Sequence, residues 1–159
     1  MKHFFLCSLC FLSFAALGQG KKDKKAIKMY NVLSVTEMVT ETVNGKETSR
    51  KDSYTSYDKD ANVLVNEEYK KDGKLKHREV NKYDSRGNKT EETVFDAADD
   101  LLKTEKNVKH IYKYDSDNNK TEELEYDASG KLLTRTQYSN NSSGDKVLEL
   151  VSDASGKPV

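Results

Sequence analysis

The chain of 159 residues has one proline, no tryptophan and two cysteines. Pro158 stands at the very end, so no strand is interrupted by a residue without an N–H. Cys7 and Cys10 both lie in an N-terminal stretch unlike everything after it. Lys2 gives a short positive region, the run from Phe4 to Leu17 is apolar, and Ala16-Leu17-Gly18 supplies the small residues of a cleavage site. Residues 1–18 therefore read as a signal peptide, leaving Gln19 as the new N terminus. Neither cysteine stands where a lipoprotein signal would place it. The mature chain then has no cysteine, which excludes disulfides and thiolate metal sites in an exported protein. That combination fits an exported bacterial protein better than a small extracellular eukaryotic module.

Net charge is also lacking, with 27 basic residues against 27 acidic. A balanced surface argues against nucleic acid, whose binding needs a dominant basic patch, and gives no steering toward an acidic partner. Beyond the leader, no apolar run is long enough to span a membrane. The mature chain keeps one phenylalanine, Phe95, but all nine tyrosines. Leu, Ile, Val and Phe make up less than about a fifth of it, too little for a thick two-layer core. A thin sheet ordered by repetition suits these amounts.

Repetition is what the sequence has in abundance. From Tyr114 it runs YDSDNNKTEELEYDASGKLLTRTQY, and from Tyr83 YDSRGNKTEETVFDAADDLLKTEK, aligned without a gap. The stretch from Tyr57 fits the same frame, and the one from Tyr138 fits with two residues inserted in its first turn. The step from aromatic to aromatic is 12 residues for Tyr57 to Tyr69, Tyr83 to Phe95 and Tyr114 to Tyr126. The units lie near 57–82, 83–113, 114–137 and 138–157, within a single domain over 30–159.

Each half-unit reads as a turn followed by a strand. Asp58 to Asn62, Asp84 to Asn88 and Asp115 to Asn119 open with Asp, which accepts backbone N–H bonds, and close with Asn. Asn44-Gly45, Asp72-Gly73 and Ser129-Gly130 form the other turn, a strong hairpin signal. Between turns lie Thr-, Val-, Tyr- and Leu-rich segments broken by Glu and Lys. Strict alternation places Lys120, Glu122, Leu124 and Tyr126 on one face and Thr121, Glu123 and Glu125 on the other. Short turns permit only sequential antiparallel pairing. The expected fold is all-β: an antiparallel β-meander of about eight or nine strands, from near Tyr30 to near Val151, open or curled into a solenoid-like sheet. Residues 19–29, rich in lysine, read as a flexible basic arm. Ala97 to Lys106 has helix-forming composition, but FDAADDLLK superimposes on YDASGKLLT, where Gly130 demands a turn. A turn and a long strand are expected there.

Tyr57-Asp58, Tyr83-Asp84, Tyr114-Asp115 and Tyr126-Asp127, with the turn Arg86-Gly87-Asn88, resemble the YD-repeat (RHS-type) sequences of bacterial exported and cell-surface proteins. The resemblance covers about Ser53 to Lys157 and implies a spiralling β-sheet. Large members enclose a toxin domain; this chain is far too short to close a shell and carries no toxin-like C-terminal domain. The Gly-Lys-Leu hairpins are more weakly similar to antitoxin repeats of the MORN-like kind.

Catalytic parts are few. His77 and His110 occupy non-equivalent positions, without a Gly-x-Ser-x-Gly elbow or His-Glu-x-x-His pair beside them. Glu67-Glu68, Glu91-Glu92 and Glu122-Glu123 are adjacent on strands, point to opposite faces and recur from unit to unit in the first three, which suits a solvated charged surface. Asp58-Asp60-Asn62 and Asp115-Asp117-Asn119 match the first three oxygens of a calcium loop. Its sixth and twelfth positions are filled by Val63 and Tyr69, or Lys120 and Tyr126, and turn chemistry explains these residues without a metal. No catalytic residue, metal or cofactor is expected.

The tyrosines are the candidate binding residues. Tyr57, Tyr83, Tyr114 and Tyr138 are expected to form one row, and Tyr69, Phe95 and Tyr126 a second at the other end of the strands. Tyrosine suits a thin sheet structurally; as a ladder of flat rings it would also stack on a repeating glycan through multivalent weak contacts. The expected function is a non-enzymatic exported scaffold, in the periplasm, at the cell surface or secreted. It would bind an envelope polysaccharide or a partner protein that adds a strand to an exposed edge. A secreted immunity or antitoxin-like protein that binds one protein is the alternative.

Overall fold

The computed structural model describes residues 21–98 and 106–159. The leader therefore lies outside the described residues, as do Gln19, Gly20 and most of the turn and strand expected between Ala97 and Lys106. A short helix, α1 (Lys21–Met29), precedes nine strands: β1 (Ser34–Val43), β2 (Lys46–Tyr57), β3 (Val63–Tyr69), β4 (Leu75–Tyr83), β5 (Lys89–Asp96), β6 (Lys106–Tyr114), β7 (Lys120–Asp127), β8 (Leu132–Asn140) and β9 (Lys146–Asp153). They form one antiparallel sheet in sequence order, so the expected all-β meander is what the chain builds. Among the described residues no helix is long and apolar enough to cross a membrane.

The sheet is a single layer. Its buried apolar residues are Ile27, Ala61 and Val108, its buried polar ones Asn62, Asn81 and Glu122, and no described side chain is completely enclosed. Cohesion therefore comes from cross-strand pairs on both faces, each contributing about 0.2–1 kcal/mol, rather than from a core. β2 pairs with β3 only over Ser53–Tyr57, while its pairing with β1 runs on to Val43↔Lys46. The first hairpin thus projects past the sheet as a two-stranded ribbon.

One turn template recurs. Asp58 Oδ1 accepts the N–H groups of Asp60 and Asn62, Asp84 Oδ1 those of Arg86 and Asn88, and Asp115 Oδ1 those of Asp117 and Asn119. The second carboxylate oxygen takes the amide of Asn62, Asn88 or Asn119. Asn141 performs the same task for Ser143 and Asp145. The fourth turn residue has positive φ: Ala61 at 60°, Gly87 at 85°, Asn118 at 68° and Gly144 at 84°. Ala61 bears the Cβ penalty that glycine avoids.

Directly after each of these turns the pairing slips by one residue. Tyr83 pairs with Lys89 after Lys82 with Glu91, and Tyr114 with Lys120 after Lys113 with Glu122. Thr90 and Thr121 are the extra residues, and Leu64 and Val147 hold the same place in β3 and β9. A bulge turns the strand over locally. Lys120 therefore shares a face with Glu123, to which its Nζ donates at 2.7 Å, and not with Glu122 as strict alternation requires. Lys89 and Glu92 repeat that geometry at 2.5 Å.

Two further expectations are revised. The last unit needs no insertion: Asn140 pairs with Lys146 as Tyr114 pairs with Lys120, so the unit begins at Asn140, and Tyr138 corresponds to Tyr112. The described part of the basic arm is the helix α1 and not a flexible segment. Nine residues make a marginal helix alone, but Lys24 Nζ donates to Asn62 Oδ1 at 2.7 Å and Lys28 Nζ to Asp60 Oδ1 at 2.9 Å. Its C terminus is closed by Asn31 at φ 50°, with Val32 N donating to Ile27 O and Asn31 N to Lys28 O, the six-to-one and five-to-two pattern of a Schellman cap.

Candidate functional site

The register separates the two aromatic rows. Tyr57, Tyr83, Tyr114, Tyr112 and Tyr138 share the face that also carries His77 and His110, whereas Tyr54, Tyr69, Phe95 and Tyr126 lie on the opposite one. The rows are thus not two edges of one platform. All of these rings are partly buried.

The hydroxyls of Tyr83, Tyr112, Tyr114 and Tyr138 each bond to the preceding strand. Tyr83 donates to Val63 O at 3.0 Å and Tyr114 to Lys89 O at 2.8 Å, each reaching the first residue of the preceding strand. Asn140 takes over that role, its amide donating to Lys120 O at 3.2 Å. Tyr112 donates to Glu92 Oε2 at 2.9 Å and Tyr138 to Glu123 Oε2 at 3.1 Å. Burial, reinforced by the adjoining Glu92 carboxylate, pushes the Tyr112 phenol well above its ordinary range, and burial raises Tyr83 and Tyr114 too.

Several ring faces are covered by lysines. Lys51 Nζ lies 4.4 Å from the centroid of Tyr69 and 4.7 Å from that of Tyr54. Lys120 stands 4.7 Å from Tyr138 and 5.3 Å from Tyr112, whose ring stacks on His110 at 6.1 Å. These distances suit cation–π contacts. They occupy surface that a stacking ligand would use.

The carboxylates are held by cations. Glu122 accepts from Lys113 and Arg135, and Lys113 foremost keeps it below its ordinary range. Glu91 lies between Lys109 and Lys82, each at 2.8 Å, and both depress it. Partial burial pushes Glu92 and Glu123 up, yet Lys89 and Lys120 outweigh it and both end below the ordinary value. His77 Nδ1 is 2.5 Å from Asp96 Oδ1, and His110 Nδ1 is 3.3 Å from Glu123 Oε1 without the alignment of a hydrogen bond. The two histidines stand on β4 and β6, each in its own pair. Among the described residues no three His, Cys, Asp or Glu side chains gather as a metal site.

Two features were not expected as sites from the sequence, although the second includes Tyr138, Asp117 and Asn119, which the sequence singles out for other chemistry. The first is the outer edge of β9, where Val147 is 62%, Leu148 47% and Leu150 55% exposed. Val159 N donates to Val151 O at 3.1 Å on that side, so Val151 and, two residues earlier, Glu149 turn their main-chain groups away from β8. The second is a polar cleft of about 450 Å³ between the β6–β7 and β8–β9 turns, lined by Asp117, Asn119, Thr121, Tyr138, Asn140 and Ser142 among others. A run of apolar residues in the last strand was visible in KVLELV; the cleft had no signal until the last unit was set in frame.

No protein-family model matches the chain, and no curated protein matches it. Several solved structures are similar to it, three of them as follows. One is a mutant of S. aureus TarM in complex with Fondaparinux, alpha-GlcNAc-glycerol and UDP, 14% identical with a TM-score of 0.33, over 88% of this chain and 24% of that one. The chain thus spans about a quarter of the TarM chain. A DUF3836 family protein from Bacteroides vulgatus is 17% identical with a TM-score of 0.24, over 74% of this chain and 98% of its own. Another from Parabacteroides distasonis is 15% identical with a TM-score of 0.24, over 77% and 93%.

Proposed function

We propose that the chain is an exported, non-enzymatic repeat scaffold of the bacterial envelope that captures a partner protein by strand addition to β9. The observation that carries this reading is the outer edge of β9: outward main-chain donors and acceptors beside exposed Val147, Leu148 and Leu150. Natural sheets blunt such edges with charge, bulges or proline, and an apolar one is a template for another strand. Here the tail from Pro158 covers the edge only near Ser152. The leader-like first 18 residues and the Tyr-Asp turns that resemble YD-repeat proteins support export. Carboxylates neutralised by lysine and arginine in unit after unit favour a structural role for the charged side chains over acid–base chemistry.

The polysaccharide alternative, in its form as a tyrosine ladder, receives less support, since the hydroxyls of Tyr69, Tyr83, Tyr114 and Tyr138 and several ring faces serve the sheet itself. An antitoxin-like binder of one protein would use the same β9 edge. The test is capture from envelope extract by immobilised chain 19–159. Glu149→Pro removes an outward N–H without touching the β8 ladder, so a partner held through the edge is lost. A variant with Tyr69 and Tyr126 changed to Ala, shown folded by circular dichroism, keeps it. Retention by Glu149→Pro, or loss on the tyrosine changes alone, contradicts the proposal.

A further inference from the structure

Successive turns along one end of the sheet follow a single backbone template, yet the gaps between them differ. Between the β4–β5 and β6–β7 turns the gap is closed. Arg86 Nη1 donates to Asp115 O at 2.9 Å and Ser116 O at 3.2 Å, and Asn88 Nδ2 to Asn118 Oδ1 at 2.9 Å. In the next turn Asp117 occupies the position of Arg86. A carboxylate cannot donate to the carbonyls of Asn141 and Ser142, so the equivalent gap stands open as the 450 Å³ cleft.

The hydrogen-bonding capacity left over in this cleft is concentrated and includes both acceptors and donors. The Asp115 carboxylate is consumed by its own turn, and Asn141 Oδ1 likewise. The amides of Asn119 and Asn140 each spend one N–H, on Asp115 Oδ2 and on Lys120 O, leaving the second N–H and the Oδ1 of each. The Asp117 carboxylate and the hydroxyls of Thr121, Ser142 and Ser143 make no side-chain bond among the described residues. Asn119 Oδ1 reaches across to the β8–β9 turn, where a Cβ on Gly144 would stand 2.9 Å from it. A side chain on Gly144 would therefore intrude on this acceptor.

We infer that this cleft is a carbohydrate subsite for one neutral pyranose ring. The Asp117 carboxylate and the Asn119 and Asn140 carbonyl oxygens would accept from its hydroxyls, while Ser142 and Ser143 bind either way. A polyol, whose hydroxyls both donate and accept, complements a wall that offers both, and the volume lies at the lower end of small-ligand sites. This site is separate from the β9 edge, so either proposal stands or falls without the other.

The experiment is amide chemical-shift mapping on the whole mature chain with maltotriose, cellotriose and tri-N-acetylchitotriose, each to about 10 mM. One exposed sugar ring is expected to bind with Kd on the order of 1 mM. At least one sugar should shift amides within 115–121 and 138–144 and leave those of β3 and β4 in place. Asp117→Arg, which rebuilds the Arg86 closure, should weaken binding at least about tenfold with the remaining spectrum unchanged. Ser142→Trp, which fills the cleft from an exposed turn position, should do the same if the first variant fails to fold. No shift with any of the three sugars, undiminished binding in a folded variant, or calcium chloride alone moving the same amides with no added effect of sugar, overturns the inference.

Discussion

The β6–β7 and β8–β9 units share a backbone and differ in what they hang on it. Both have an Asx-closed turn, a positive-φ fourth residue and an extra residue in the bulge that follows. In the first, Tyr114 reaches back to Lys89 O and Arg86 closes the gap to the preceding turn. In the second, Asn140 does the reaching, Asp117 leaves the gap open and the final strand exposes Leu148 and Leu150. Turns and bulges set the frame of such a sheet; the side chains at a few fixed positions decide whether a unit is sealed or available for contact.

The largest test of that contrast is truncation of the reaching residue. Tyr114→Ala loses a half-buried ring with its hydroxyl bond and should cost about 3 kcal/mol in urea unfolding. Asn140→Ala loses one amide bond and should cost about 1 kcal/mol. Equal losses would mean that the two units are held alike. Next comes Glu122→Ala, which leaves Lys113 on β6 and Arg135 on β8 without their shared partner on β7 and should cost about 1–2 kcal/mol.

The pH dependence follows from the same pairs. Glu67, Glu91, Glu92, Glu122 and Glu123 titrate below the ordinary 4.5. Their contribution is complete above that pH and is lost as pH falls through the depressed folded values. Lys51, Lys89 and Lys120 titrate above 10.5, and Tyr83, Tyr112 and Tyr114 above 10.0, so their stabilisation is complete below pH 10 and lost on going higher. A melting temperature flat between about pH 5 and pH 9.5, falling on both sides, is the expected profile; one that keeps rising as acid is added would contradict these pairings. The smallest effect belongs to Lys146, whose partner Glu149 is exposed on the last strand. Lys146→Ala should cost less than about 0.5 kcal/mol, against about 1 kcal/mol for Lys89→Ala, whose ammonium meets both Glu79 and Glu92.

Turn chemistry made the meander legible in the sequence, because Asp and a positive-φ Gly or Asn mark each reversal directly. The bulges were not legible. Thr121 and Thr90 look like ordinary alternating strand residues, and only the cross-strand partners reveal the extra residue that moves Lys120 to the face of Glu123. The helix α1 was hidden for a different reason: its Lys-rich composition is indifferent on its own, and bonds to Asp60 and Asn62 across the chain hold it. The frame of the last unit was recoverable, since Asp127-Ala-Ser-Gly-Lys and Asp153-Ala-Ser-Gly-Lys are identical and set the offset that Tyr138 obscured. The aromatic rows were seen as sequence but not as opposite faces, because their assignment depends on those same bulges.

The most direct test is native-state amide exchange along β9. Leu148 and Leu150 donate toward β8, while Glu149 turns its N–H outward to the open edge. Slow exchange at Leu148 and Leu150 with fast exchange at Glu149 between them is the expected result. Equal protection at all three would mean that the edge of the free protein is already covered, and would contradict both the open single-layer sheet and strand capture at β9.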